Sequence, residues 1–392
     1  MSHGDGEVGA RSGTTDHGSR ARRSPTRRSG PVRSGRSPSG AVIAVTSAAD
    51  VVGRALAQRL SGRDDVAAVV AIDERRGDLG GVRWKLVDAR SPELVDAIGG
   101  CDTLVHAAVP DVPGDPPCAS VESALARMVD GARTAVTAAA AAKVPRVVLV
   151  TSAMVYGASA DNPVPLDEDA PLAAVADGPA ITALLEVEEI AARARAVHPG
   201  LRVSVLRPAV LVGPGADNVF TRHFEAPRLL VVKGSRPHWQ FCHVEDLVSA
   251  LELAAVGAAE GVLTVGSDGY LTQEEIEEST GMRRIELPAR IAFGTAERLH
   301  RLGMTPAPAS ELAYTAEPWV VPSTRLRAAG WTPVFDNRAA VAALVECKTR
   351  PAAAGSGRRL GRDATLGAAG ATVAVLGTAA VVRKIRRQRR GG

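Results

Sequence analysis

Between residues 41 and 265 the chain alternates short apolar runs with helical stretches, and this alternation limits the fold more than any other feature. Residues 41–45, 66–72, 82–87, 102–107, 146–151 and 202–206 read as strands, rich in Val, Leu and Ile. Helical patterns run through residue 60 after the first of them, and again over 121–142 and 181–196. Strands separated by helices cannot pair as hairpins. They need crossover connections, which are right-handed and lay helices over both faces of a parallel sheet. The expected class is α/β, a doubly wound parallel sheet.

After Gly213 the rhythm breaks into Pro/Gly-rich pieces, returns over 241–256 and 262–265, and then turns helical with polar connections. Thr272 and Glu275 have the spacing of a capping box at a helix start. The expected organisation is a Rossmann-like layer over 41–213, completed by about 241–266, with most of 214–347 forming a smaller C-terminal substrate lobe. In open sheets of this kind ligands bind beyond the carboxyl ends of the strands.

The formal charge of +4 belongs to the ends of the chain. Residues 1–40 carry eight Arg against three acids, and 348–392 carry eleven Lys/Arg against one. The intervening 41–347 has 28 basic and 39 acidic residues, a net of −11. A nucleic-acid-binding body is therefore not expected, and 3% aromatic content argues against a base-stacking platform. The Ser/Gly/Arg/Pro-rich residues 1–40 read as a disordered basic arm, without the apolar run of a secretory signal. Cys101, Cys118, Cys242 and Cys347 are far apart and form no C-x-x-C pair, so neither zinc nor a disulfide framework is expected and a cytoplasmic setting fits.

The basic tail holds a second constraint. Residues 364–382 are free of charge and are followed by six Lys/Arg within 383–390. The stretch is long enough to span a bilayer, but it is rich in Ala, Gly and Thr, and a cytoplasmic body would force its basic end outward against the positive-inside rule. Two readings stand: a soluble tail, or a helix lying on the anionic inner membrane face.

A dinucleotide-binding turn needs glycines for the bend, for approach of the pyrophosphate and for helix packing. Here that turn reads Thr46-Ser47-Ala48-Ala49-Asp50-Val51-Val52-Gly53, and only the last glycine remains. Asp50 puts a carboxylate where a helix N-terminus should receive an anion, so it is expected to cap the helix and repel the ligand. Asp73, twenty residues after Gly53, is placed to bond ribose hydroxyls, with Arg75 and Arg76 as the alternative for a 2′-phosphate.

Taken in order, these motifs resemble the extended short-chain dehydrogenase/reductase family, the NAD-dependent epimerase/dehydratase group that acts largely on nucleotide sugars. The resemblance covers about 41–347. It includes Asp102-Thr103-Leu104-Val105-His106-Ala107-Ala108, Thr151-Ser152-Ala153-Met154-Val155-Tyr156-Gly157, Leu206-Arg207-Pro208, His243-Val244-Glu245-Asp246-Leu247 and Ala329-Gly330-Trp331-Thr332-Pro333. It implies NAD or NADP as cofactor, with Thr46, Ser47, Asp50, Val51 and Gly53 at the phosphate turn. Asp73 and Asp88 fall on the adenine side, and Ala107, Ala108 and Pro208 line the groove. Ser152 matches a serine that bonds the substrate, and homodimerisation is compatible with the group.

One part of the resemblance fails. The family's chemistry rests on a tyrosine that exchanges a proton with the substrate and a lysine four residues on, one helical turn away on the same face. The three tyrosines are followed at that spacing by Ala160, Glu274 and Pro318. In the helix that should carry the pair, Ala180 or Ile181 stands for the tyrosine and Leu184 or Leu185 for the lysine, while Met128 replaces the family's helix asparagine. Two function classes follow. The first is a noncatalytic or atypical nucleotide-binding or scaffold protein. The second is an epimerase, dehydratase or reductase on a nucleotide-sugar-like substrate that uses Ser152 and another base.

The remaining candidates have plainer readings. His223, His238 and His243 have no metal-ligand spacing. Glu186, Glu188 and Glu189 read as a solvated helix face. Cys242 and its neighbour His243 point to opposite faces of a strand, which suits no nucleophile–base pair. Trp239 and Trp331 read as core.

Overall fold

The computed structural model describes residues 40–109, 121–302 and 308–349. Residues 1–39 of the expected arm and 350–392 of the tail, with the apolar segment 364–382, lie outside them. Among the described residues no helix is long and apolar enough to cross a membrane.

The first apolar run becomes β1 (Ala41–Thr46), and α1 (Val51–Ser61) buries Val52, Leu56, Ala57 and Leu60, a stripe at helical spacing. In chain order there follow β2 (Val66–Asp73), β3 (Arg83–Leu86), α2 (Leu94–Ala97), β4 (Thr103–His106), α3 (Val121–Ala142), β5 (Arg146–Val150), α4 (Pro179–Val197) and β6 (Arg202–Pro208). Next come β7 (Val210–Val212), α5 (Val219–Glu225), β8 (Leu229–Val232), β9 (Phe241–His243), α6 (Val244–Ala255) and β10 (Val262–Val265). The last elements are α7 (Gln273–Thr280), β11 (Arg284–Leu287), α8 (Ala289–Arg301), α9 (Thr324–Ala328) and α10 (Asn337–Thr349).

Seven strands form one parallel sheet in the order β10-β6-β5-β4-β1-β2-β3. The chain winds outward from β1 in both directions, the doubly wound α/β arrangement expected from the pattern. Central strands read as continuous apolar runs because helices cover both faces, and Val147 to Val150 are all but fully buried. The edge strand β3 carries Arg83 and Lys85 among exposed positions, which discourages pairing with another edge. Winding direction reverses between β1 and β4, where Thr46 and His106 lie side by side in register. Such a switch point opens a crevice at the carboxyl ends of the strands.

Two small parallel pairs, β7 with β9 and β8 with β11, lie outside the main sheet. Ala292 of α8 joins Val232, Leu287 and Ala316 in a separate apolar cluster. The capping box expected at Thr272 opens α7: Glu275 N–H donates to Thr272 Oγ1 (3.3 Å) and Thr272 N–H to Glu275 Oε2 (2.8 Å).

Gly53 binds helix to turn more tightly than any side chain allows. A Cβ there would lie 2.2 Å from the Ser47 carbonyl oxygen and 2.7 Å from its carbon, both backbone atoms. Gly53→Ala is expected to cost more than about 2 kcal/mol, seen as a lower urea midpoint. An unchanged midpoint would show that α1 can move off the turn freely.

Candidate functional site

The floor of the crevice is a neutral histidine. Thr46 Oγ1 lies 2.8 Å from His106 Nδ1, and His106 Nε2 lies 3.2 Å from the Met128 carbonyl oxygen. Because a carbonyl only accepts, Nε2 carries the proton and Nδ1 accepts from Thr46. The ring packs against Gly131 of α3, where a Cβ would sit 2.3 Å from its Cε1. Burial pushes the imidazole down to about 4. Ala107 is buried and Ala108 half-buried just beyond.

The turn above that floor keeps a glycine-like shape without the glycine. Ser47 has φ 52°, the left-handed region that side chains rarely adopt. Thr46 is fully buried and Val51 half-buried. Asp50 stands at the N-cap of α1, but contrary to expectation its carboxylate makes no capping bond to the helix. It turns instead to Arg75, whose Nη2 donates to Asp50 Oδ1 at 3.0 Å. Asp73 is built into the turn. Its Oδ2 accepts from Ala49 N–H (3.1 Å) and its Oδ1 from Arg75 N–H (3.0 Å). After β3, burial opposes the charge of Asp88, yet hydrogen bonds from Arg90 hold its carboxyl below the usual range.

Beyond β5 the expected substrate serine is also engaged. Ser152 is buried and its Oγ accepts from Met154 N–H (3.2 Å), capping a 3-10 turn at Ala153–Tyr156. Tyr156 donates to the Glu168 carbonyl (2.7 Å) and accepts from Arg207 Nη1 (2.8 Å). Burial raises this phenol, with Arg207 pulling the other way. Arg207 binds Glu188 of α4 bidentately, Nε to Oε1 and Nη2 to Oε2, both at 2.8 Å. Thr151 Oγ1 donates to the same Oε1 at 2.7 Å. Pro208, next in β6, is buried.

Glu188 corrects the reading of a solvated glutamate face: its side chain is only 4% exposed, while Glu186 pairs with Arg133 and Glu189 with Arg193 at the surface. The sequence held one signal for it. An arginine inside an apolar strand needs a buried partner. One to two turns earlier on α4, Ile181 and Leu184 are buried in the core, and Ala180 and Leu185 pack partly against it. Met128 is buried too.

The three histidines go to separate contacts. His223 stacks on Trp239, His238 lies tilted against Tyr270, and His243 caps α6 while stacking on Phe335. Burial raises the Cys242 thiol. Trp239 and Trp331 are buried, their indole N–H groups donating to Gln273 and Ser249.

The model of the NAD dependent epimerase/dehydratase family matches residues 43–266. This chain belongs to that family. An uncharacterised protein of Mycobacterium tuberculosis is 28% identical over 299 residues, covering 73% of this chain and 78% of that protein. A 3-diazoavenalumate denitrifying reductase of a Streptomyces species is 30% identical over 239 residues, 58% of this chain and 76% of the reductase. Among solved structures, MoeE5 in complex with UDP-glucuronic acid and NAD superposes with a TM-score of 0.56 at 26% identity, covering 79% of this chain and 99% of that one. UDP-glucose 4-epimerase of Thermus thermophilus in complex with NAD, at 19% identity and a TM-score of 0.56, covers 78% and 98% and shares the fold.

The epimerase/dehydratase family implies NAD, and the turn of this member departs from the glycine pattern that receives its pyrophosphate. A carboxylate stands at the N-terminus of α1, the Ala49 N–H is taken by Asp73, and both oxygens of Asp73 are engaged by the backbone.

Two outcomes follow for stability. The unfolded chain protonates His106 below about pH 6.5, whereas the folded protein keeps it neutral to about 4. Unfolded protein therefore takes up the proton first, and stability falls by about 3 kcal/mol as pH drops through that window. His106→Gln should remove this part of the slope in urea midpoints measured against pH; an identical slope would contradict it. Glu188→Ala should cost about 3 to 5 kcal/mol by leaving Arg207 buried and unpaired, and Glu188→Ala/Arg207→Met should recover much of the loss. A double variant as unstable as the single one would contradict the pairing argument.

Proposed function

We propose that this family member holds a nucleotide-type ligand in its crevice without performing the family's proton-coupled hydride transfer. The observation that carries the reading is on α4. Where the proton-transferring pair would stand, as Ala180 with Leu184 or Ile181 with Leu185, all four side chains are apolar and packed in or against the core, and the nearby ionisable group, Glu188, is locked to Arg207. Losing a positioned acid costs about 10² to 10⁴-fold in a reaction that needs one. Binding of NAD or NADP is weak or lost, because Asp50 and Asp73 set two carboxylates around the phosphate turn. A nucleotide sugar is the ligand class, supported by the UDP-sugar that MoeE5 holds at 26% identity. The buried free thiols of Cys101 and Cys242 fit a cytoplasmic setting.

A second reading is favoured by the Streptomyces reductase. A hydride that displaces a leaving group, as reductive loss of nitrogen from a diazo group requires, needs no proton donor on the protein. Arg76, exposed and without an ion pair among the described residues, would then meet the 2′-phosphate of NADPH.

Incubation with UDP-glucose and NAD, followed by chromatography of the sugar nucleotides, separates these readings when paired with a thermal-shift series of UDP-sugars. The first predicts stabilisation by a UDP-sugar and no conversion. Conversion of the sugar would overturn it, and consumption of NADPH with an aryl diazonium substrate would favour the second.

A further inference from the structure

The acidic body carries a cationic island. Residues 226–236 and 281–302 hold eight Lys/Arg against two Glu, within a span whose net charge is −11. Glu297 is answered by Arg301, whereas Arg284 is taken up by Glu286 together with Glu274 and Glu277 of α7. Arg290 and Arg298 of α8 are exposed and have no ion pair among the described residues.

The outward arc of α8 combines charge with apolar surface. At 100° per residue, Arg290, Arg301, Arg298, Ile291 and Leu302 fall within an arc of about 120°. Ala292 and Leu299, on the opposite side, are the buried positions. Ile291 is 42% exposed and Leu302, directly after the helix, 64%. Lys233 extends the charge at the start of α8, since its N–H donates to the carbonyl of Leu287, which precedes the N-cap Pro288 (2.8 Å).

We propose that this arc of α8 docks on an anionic lipid surface. Arginines draw the lobe to acidic headgroups, and the two aliphatic side chains enter the headgroup–acyl boundary, where they lose contact with water. A nucleic-acid phosphate backbone would satisfy the arginines but leave Ile291 and Leu302 solvated, so the mixed arc favours lipid. This inference is independent of the ligand in the crevice.

The test is co-sedimentation of the full chain with vesicles of phosphatidylcholine alone and of phosphatidylcholine with phosphatidylserine, over a salt series. Binding is expected only to the anionic vesicles and is expected to weaken with salt. Each arginine contributes roughly fivefold, so Arg290→Gln/Arg298→Gln should lower partitioning roughly 25-fold. Ile291→Ser/Leu302→Ser should weaken binding while keeping the salt dependence, and Arg193→Gln on α4 should change nothing. Thermal melts confirm that the exposed substitutions leave the fold intact. Equal pelleting of the α8 variants and the parent would overturn the proposal. So would failure of the full chain to pellet, or variant-sensitive binding to duplex DNA without binding to vesicles.

Discussion

The buried bidentate pair of Glu188 and Arg207 ties more of this molecule together than any other contact. It joins α4 to β6, and through Thr151 and Tyr156 it reaches the end of β5 and the segment at Glu168. Glu168 in turn accepts from Thr264 of β10 and from the Arg325 N–H of α9. Two charges removed from water are worth keeping only when their polar atoms find partners, and here each nitrogen of the Arg207 guanidinium and each oxygen of the Glu188 carboxylate has one. The same completeness makes the cluster poor machinery for proton transfer: Tyr156 both donates and accepts within it, and its phenol is raised.

At the phosphate turn the logic is substitution rather than damage. Ser47 keeps the left-handed bend, Gly53 keeps the close approach of α1, and Asp73 reaches back to hold Ala49. Arg75 then neutralises Asp50 from outside. The turn thus takes its shape from contacts within the chain: Asp73 holds Ala49, and Arg75 holds Asp50.

Much of the fold was legible because periodicity is a local property. The strands of the main sheet and the long helices α3 and α4 fell where the apolar runs put them, and the capping box at Thr272 formed. The pieces β7, β8, β11 and α8 were not singled out, since short runs among Pro and Gly carry no period of their own and gain order from packing. At the site, the missing tyrosine and lysine could be read directly from residue identity. Partners could not: Asp50 was expected to cap its helix, yet Arg75 competes from the end of β2. Glu188 looked solvated because its partner lies on another element. The island around α8 was hidden by averaging over an acidic span.

The central claim is that the chain's own charges hold the phosphate turn against a dinucleotide. Calorimetric titration with NAD of the parent protein beside Asp50→Gly tests it most directly. The account predicts no saturable heat from the parent and measurable binding once the carboxylate is gone. Micromolar binding of NAD by the parent, undiminished beside the variant, would contradict it.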